Sequence, residues 1–353
     1  MTDFPQNLKN LEDVEAAIVA HNNRAALPDA LASLVDARCP ADRITVVDIA
    51  STDGTGDWLR QEWPAVRVRR IERNDGPNPG RNIGIAEGTR RFVLLMDADV
   101  RVRRDTIEWL HAAMLADSTV KVGSPLVVRA DSPEIIQYGG GAVHYICEAV
   151  NRWRDRPVAE RGLDPQDIGA APACALLMDR QAAIDVGLFD ERYFMGKEDG
   201  DFLHRLRMAG FVIREVPRAI AVHHSRPRKS GLFYYQIRNR WHFILKNYQL
   251  RTIVCLVPAL VVYEPLQFLV LAAKGHAWTY MRAAGGLLEM LPALPRDRAF
   301  NRRIRRKPDR DLLVSQPIVV GDALAANVVV RAGKGLYERM LDAYWIFLKS
   351  ISL

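Results

Sequence analysis

Arg91-Phe92-Val93-Leu94-Leu95-Met96-Asp97-Ala98-Asp99-Val100 is the stretch on which the fold of this chain turns. The apolar run Phe92 to Met96 predicts a strand buried on both faces. It ends in two carboxylates separated by one alanine. In an extended chain residues i and i+2 project to the same side, so Asp97 and Asp99 are expected to converge on one object. Neighbouring carboxylates repel, and a divalent cation relieves the repulsion. The alternative is that the aspartates cap a turn or a following helix, and the spacing alone leaves both open.

On the N-terminal side of this strand the pattern alternates. Glu15–Ala20 reads as a strand, Pro28–Ala37 as a helix, Ile44–Asp48 as a second strand, and a helix runs through Trp58 and Leu59. Val66–Ile71 is a third short strand, and Arg81–Gly88 a helix leading into Phe92. Strand and helix in strict alternation predict a parallel sheet with helices on both faces. Ligands of such sheets bind beyond the carboxyl ends of the strands, where Asp48 and Asp97 lie. No GxGxxG follows the first strand, which argues against a dinucleotide oxidoreductase.

The middle of the chain is less regular. Val120–Val128, Ala173–Met178, Val212–Val216 and Ala219–Val222 read as strands, and Arg152–Asp167 as a polar loop. Arg180–Val186 is a helix. Glu191, Glu198, Asp199 and Asp201 crowd the approach to another helix through Phe202–Ala209, more acid than a plain surface needs. His223-His224 follows the last of these strands.

Beyond Ser230 the character changes. Leu232–Tyr248 is a helix rich in aromatic and basic residues. Thr252–Ala273 approaches the length of a membrane span. Pro258 and Pro265 are expected to break it, and Glu264 would be costly in hydrocarbon, so interfacial helices are expected rather than a true span. From Arg296 to Arg310 seven arginines and one lysine face two aspartates, the main source of the net charge of +7. That excess fits an anionic membrane surface; a solvated helix face is the plain alternative. No aromatic-interleaved basic surface or recognition motif supports a nucleic-acid partner. Cys39, Cys147, Cys174 and Cys255 are widely spaced, which points to neither zinc nor a disulfide framework. With a polar Met1–Asn10 lacking a signal-peptide core, the expectation is a cytoplasmic protein lying on the inner face of the membrane.

Four segments together resemble family 2 glycosyltransferases. Val46-Val47-Asp48-Ile49-Ala50-Ser51-Thr52-Asp53-Gly54-Thr55 resembles their VVDNxSxDGT segment, and Arg81-Asn82-Ile83-Gly84 their RNxG helix start. Asp97-Ala98-Asp99 stands in the place of their DxD motif, and Glu198-Asp199-Gly200-Asp201 with Arg205 resembles EDxDxxxR. The order holds from about Glu15 to Tyr248, and within the family the look is of non-processive, rhamnosyltransferase-like members. Gln236-Ile237-Arg238-Asn239-Arg240-Trp241 has one residue too many for the QxxRW of processive synthases.

The resemblance implies an α/β fold of the GT-A type, a mixed sheet flanked by helices with a helical C-terminal appendage. The division it implies is a catalytic domain over 1–230 and a membrane-associating helical region over 231–353. The nucleotide-binding half would be about 1–100 and the acceptor half about 101–230. It also implies an inverting, metal-dependent transfer of one sugar from a UDP- or dTDP-linked donor to a hydroxyl of a glycan or lipid-linked acceptor. Asp48 would hydrogen-bond the pyrimidine, with Asp53 and Arg81 lining the same pocket and the backbone at Ala20 and Asn22 forming another wall. Asp99, and Asp97 directly or through the ribose, with Ala98 between them, would serve the diphosphate and a Mn²⁺ or Mg²⁺ ion. His223 is the expected third ligand, with His224 less well in register. Asp199 is the expected general base and Glu198 the runner-up, while Asp201 and Arg205 would pair structurally. A catalytically silent nucleotide-sugar or glycan-binding protein on the same fold is the competing reading.

Overall fold

A computed structural model describes residues 11–224, 231–317 and 328–351. The polar N-terminus Met1–Asn10 and the expected boundary near residue 230 lie outside these residues.

The chain opens with β1 (Val14–Ala20), α1 (Leu27–Asp36), β2 (Ile44–Ile49), α2 (Thr55–Glu62), β3 (Arg67–Ile71), α3 (Asn78–Ala86) and β4 (Phe92–Asp97). β1 pairs in parallel with β2 and β4, and β2 with β3, so this third is the expected parallel unit. Both faces of its central strands are buried. In β4, Phe92, Leu94 and Met96 face one core with Leu31 and Leu34 of α1. Val93 and Leu95 face the other with Ile85 of α3. Each fully buried aliphatic chain of this kind contributes about 1.5–3 kcal/mol. Helix α3 begins at Asn78, earlier than the sequence pattern placed it, because Pro79 sits in its first turn, where its missing N–H costs nothing.

β5 (Val100–Val102), α4 (Thr106–Leu115), β6 (Val120–Arg129), β7 (Ile136–Tyr138), β8 (Gly141–Val143) and β9 (Ala149–Asn151) follow. Then come α5 (Val158–Arg161), β10 (Gln166–Asp167), β11 (Ala175–Asp179), α6 (Arg180–Asp185), α7 (Glu198–Met208) and β12 (Val212–His223). The sheet runs β10-β12-β6-β11-β4-β1-β2-β3 without a break. β11 is antiparallel to both β4 and β6, which makes the sheet mixed. Arg152–Asp167 is not one loop, as expected, but carries the short α5 and β10. A four-residue helix and a two-residue strand are too brief for a periodicity to show.

The remaining elements are helical: α8 (Leu232–Asn247), α9 (Leu250–Ala273), α10 (Ala277–Met290), α11 (Leu294–Ile304), α12 (Asp309–Leu312) and α13 (Val328–Ser350). A third core, with Tyr145, Phe243, Tyr248, Leu256 and Trp345, joins them to the sheet domain. Helix α9 is continuous through Pro258 and Pro265, against expectation. Both prolines are exposed, so the carbonyls they leave unbonded are on the outer side of the helix. Glu264 turns inward, where Arg240, Trp241 and Tyr280 bond its carboxylate. Part of the arginine cluster also works inside the molecule. Arg298 donates to the carbonyls of Leu245 and Tyr248, and Arg305 to Asp309 and the carbonyl of Asn247.

Candidate active site

The site lies at the carboxyl edge of β1, β2 and β4. β1 and β2 run side by side with Ala20 opposite Asp48, so their following loops meet. Asn22, at φ 52°, donates its backbone N–H to Ser51 Oγ and accepts at Oδ1 from the N–H of Thr52. Asp53 closes the same seam, accepting from the N–H of Arg24 at 3.0 Å and from Thr55 Oγ1 at 2.5 Å. Its partial burial works against ionisation, but the bonds from Thr55 and Arg24 outweigh it and hold the carboxyl below the usual range. Asp48 is fully buried, accepting from the N–H of Ser51 at 3.1 Å and from Arg70 Nη1 at 2.8 Å. The structure thus brings Ala20, Asn22, Asp48 and Asp53 together. It adds Arg70, which no motif marks and only its place across the parallel ladder from Asp48 would have revealed.

Arg81 organises the other half. It projects from α3, is 4% exposed, and donates to Asp199 Oδ1 at 3.0 Å and Asp97 Oδ1 at 3.3 Å. Glu198 Oε1 lies 3.9 Å away. One guanidinium therefore serves three carboxylates drawn from β4 and the start of α7. Gly84 makes this possible. A Cβ there would lie 2.6 Å from that of Ala17, so only glycine lets α3 lie against β1. Asn78 fixes the far side by donating to the carbonyls of Asp190 and Tyr193, ahead of α7.

The acids of this region do not behave alike. Burial, and then the charge of Asp199, push the Glu198 carboxyl up to about 8, and its Oε2 has no partner among the described residues. Burial also raises Asp97, opposed by Arg81. Asp201 is fully buried and sits apart, bonded to Arg205, Lys246 and Asn247, the structural role expected of it.

Asp97 and Asp99 pair with different side chains, while Asp97 still feels the charges of both Asp99 and His223. β4 ends at Asp97, and a turn carries Ala98 and Asp99 into β5, so the extended-chain geometry stops one residue too early. Asp97 faces Arg81, whereas Asp99 Oδ1 lies 3.7 Å from His223 Nε2. His223 ends β12 opposite Val100 of β5. Its Nδ1 bonds Gln137 Oε1 at 3.1 Å. Since an amide oxygen only accepts, Nδ1 is the donor of this bond, and Nε2 is the ring nitrogen on the Asp99 side. His224 is instead exposed, and its N–H donates to the carbonyl of Asp99. Gln137 had no sequence signal, being a single amide in an irregular region.

Among the described residues no three His, Cys, Asp or Glu side chains form a cluster able to hold a metal unaided. The donor set still suits a hard divalent cation, because such ions keep few protein ligands and take the rest from phosphate and water. An oriented imidazole nitrogen beside an Asp99 carboxylate fits Mn²⁺.

Residues 16–187 match the family model described as glycosyl transferase family 2. A pre-mycofactocin glycosyltransferase of Mycobacterium tuberculosis is 30% identical over 216 residues, 61% of this chain and 43% of that protein. An N-acetylglucosaminyl-diphospho-decaprenol L-rhamnosyltransferase of the same organism is 31% identical over 204 residues, 52% of this chain and 66% of that one. The chain thus spans less than half the length of the first of these relatives. In fold it is similar to GalNAc-T7 solved with UDP, GalNAc and Mn²⁺, with a TM-score of 0.56 at 20% identity over 67% of this chain and 48% of that one. The chain belongs, through residues 16–187, to glycosyl transferase family 2 and has the GT-A fold.

Proposed function

We propose that this family 2 chain is an inverting, metal-dependent glycosyltransferase that moves one sugar from a UDP- or dTDP-linked donor to a hydroxyl of a glycan or lipid-linked acceptor. The observation that carries the reading is the shared guanidinium of Arg81, which ties Asp97 at the diphosphate end to Asp199 at the acceptor end. In this reading residues 1–100 hold the nucleotide and 101–230 the acceptor. Asp48, Asp53, Ala20 and Asn22 form the nucleoside pocket, with Asp48 at the pyrimidine.

Asp99 and His223, with Asp97 alongside, would hold a Mn²⁺ or Mg²⁺ ion, whose chemistry is to neutralise charge on the departing diphosphate. Asp199 accepts the proton of the acceptor hydroxyl as its oxygen bonds the anomeric carbon. The bond from that carbon to the diphosphate oxygen breaks, and the nucleoside diphosphate leaves with the electron pair. Attack opposite the leaving group inverts the anomeric centre. Burial and the neighbouring charge of Asp199 favour the protonated form of Glu198, which supports Asp199 over Glu198 as the base. Asp199, bonded to Arg81 at 3.0 Å, is the acid left to take the proton, so the two neighbours divide the work.

Support for a lipid-linked acceptor comes from the relative named for N-acetylglucosaminyl-diphospho-decaprenol and from the outer surface of α9. There Leu250, Val254, Val261, Leu266 and Leu269 are all exposed on one long, predominantly apolar helix. With the remaining exposed arginines of 296–310 it suits an anionic leaflet, with the protein peripheral on the cytoplasmic face.

The reading is tested by thermal shift against a panel of UDP- and dTDP-sugars, with and without Mn²⁺. One nucleotide sugar should raise the melting temperature in a metal-dependent way, and Asp99→Ala should abolish the metal dependence. If no nucleotide sugar stabilises the protein, the reading fails. If stabilisation occurs without nucleoside diphosphate release to any acceptor, the silent binding protein is the better description.

A further inference from the structure

Arg238 of α8 and Arg282 of α10 both lie over the ring of Tyr234, at 5.4 and 5.6 Å from its centroid. The ring face attracts each cation without neutralising either. The hydrogen bonds of Arg238 go to the Arg192 carbonyl and the side-chain oxygen of Asn239, both uncharged. Among the described residues neither guanidinium forms an ion pair with a carboxylate. Two positive charges gathered on one ring and left unmatched favour an anion nearby.

The arrangement depends on a specific residue of the neighbouring helix. A Cβ at Gly286 of α10 would lie 2.0 Å from Tyr234 Oη and 3.2 Å from Arg238 Cδ. Only glycine there admits both side chains. Aromatic rings continue from this point to the segment ahead of α7. Tyr234 meets Tyr235 edge to face at 5.0 Å, and Tyr235 stacks on Phe194 at 5.0 Å, a few residues ahead of Asp199 in the chain. Trp278 and Met281, within about a turn of Arg282 on α10, are 74% and 55% exposed, and α10 packs against α9.

We infer that Arg238, Tyr234 and Arg282 bind the phosphate groups that join sugar to lipid in the acceptor, an inference that rests on the lipid-linked reading above. Guanidinium groups match phosphate oxygens two at a time. The aromatic rungs Tyr235 and Phe194 lie under the sugar, and its hydroxyl reaches Asp199. The hydrocarbon tail runs over Trp278 and Met281 onto α9. The site therefore measures the acceptor from its linker and selects a phosphorylated amphiphile over a free glycan.

The test compares binding of the full chain to phosphatidylcholine vesicles doped either with a polyprenyl diphosphate or with phosphatidylglycerol at equal surface charge. Wild type should prefer the polyprenyl diphosphate. Arg282→Gln, at an exposed position, should lower that binding about 10-fold, as expected for one lost charged hydrogen bond, and leave phosphatidylglycerol binding nearly unchanged. Arg282→Lys should recover part of it, and thermal melts of both variants should match wild type. An equal loss on both vesicles would mean general leaflet contact and overturn the inference. Preference by wild type with no loss in Arg282→Gln would overturn it while leaving the lipid-linked reading intact. No preference by wild type would remove both.

Discussion

Arg81 bonds the carboxylates of Asp97 and Asp199 and lies beside Glu198, with one guanidinium that water barely reaches. Removing one partner of a buried ion pair costs about 3–5 kcal/mol, because the remaining charges are left uncompensated. Arg81→Leu should therefore lower the stability measured by urea denaturation by that much and abolish transfer. Arg81→Lys keeps the charge but not the fork, so it should fold and lose turnover. Glu198 supplies a pH test whose sign is fixed. Its folded pKa of about 8 lies above the ordinary value of 4.5, so the folded state binds more protons between those pH values. Its contribution to stability is present below about pH 4.5 and is lost as pH rises toward 8. Glu198→Gln cannot ionise, so its melting temperature relative to wild type should rise from about pH 5 to about pH 8. An unchanged difference across that range would contradict the protonated Glu198. The sequence motifs are enough to single out Arg81, Asp97, Asp99, Glu198 and Asp199 as candidates. Their pairing is not written there. Arg81 and Asp199 are 118 positions apart, and nothing local says which acid a given arginine will meet.

At the scale of the element, α3 shows how one glycine sets the position of a charged group. Gly84→Val would force the helix off Ala17, at a cost of about 1–3 kcal/mol, and would carry Arg81 away from Asp199. Chemical denaturation should show the loss, and turnover should fall by more than the stability change explains. The central strands β1, β2 and β4 are readable because both of their faces are filled with apolar side chains. The end of β4 is not. The turn at Ala98 depends on pairing between β5 and β12, more than a hundred residues later in the chain. Helix α9 misleads for a related reason. Prolines break a helix when the carbonyls they orphan are buried, and Glu264 is costly only if it faces hydrocarbon. Here the prolines lie outward and Glu264 lies inward against Arg240, orientations that a linear reading cannot assign.

Across the whole molecule a single sheet carries both halves of the candidate site, and half-buried charge helps to fasten the helical layer. Lys197, immediately before Glu198, bonds the Glu148 carboxylate, which also accepts from Tyr263 of α9. Glu148 thus bridges α9 to the residue that precedes α7, the helix that carries Asp199. Val261→Lys together with Leu266→Lys should weaken sedimentation with anionic vesicles and leave the melting temperature within about a degree, since both side chains are exposed. Undiminished sedimentation would remove α9 from the membrane face. Asp199 is the proposed base, and Asp199→Asn tests it when assayed for donor binding by thermal shift and for transfer by nucleoside diphosphate release. The variant should bind the nucleotide sugar as wild type does and release product about 10²- to 10⁴-fold more slowly; release at the wild-type rate would contradict the assignment of Asp199 as the base.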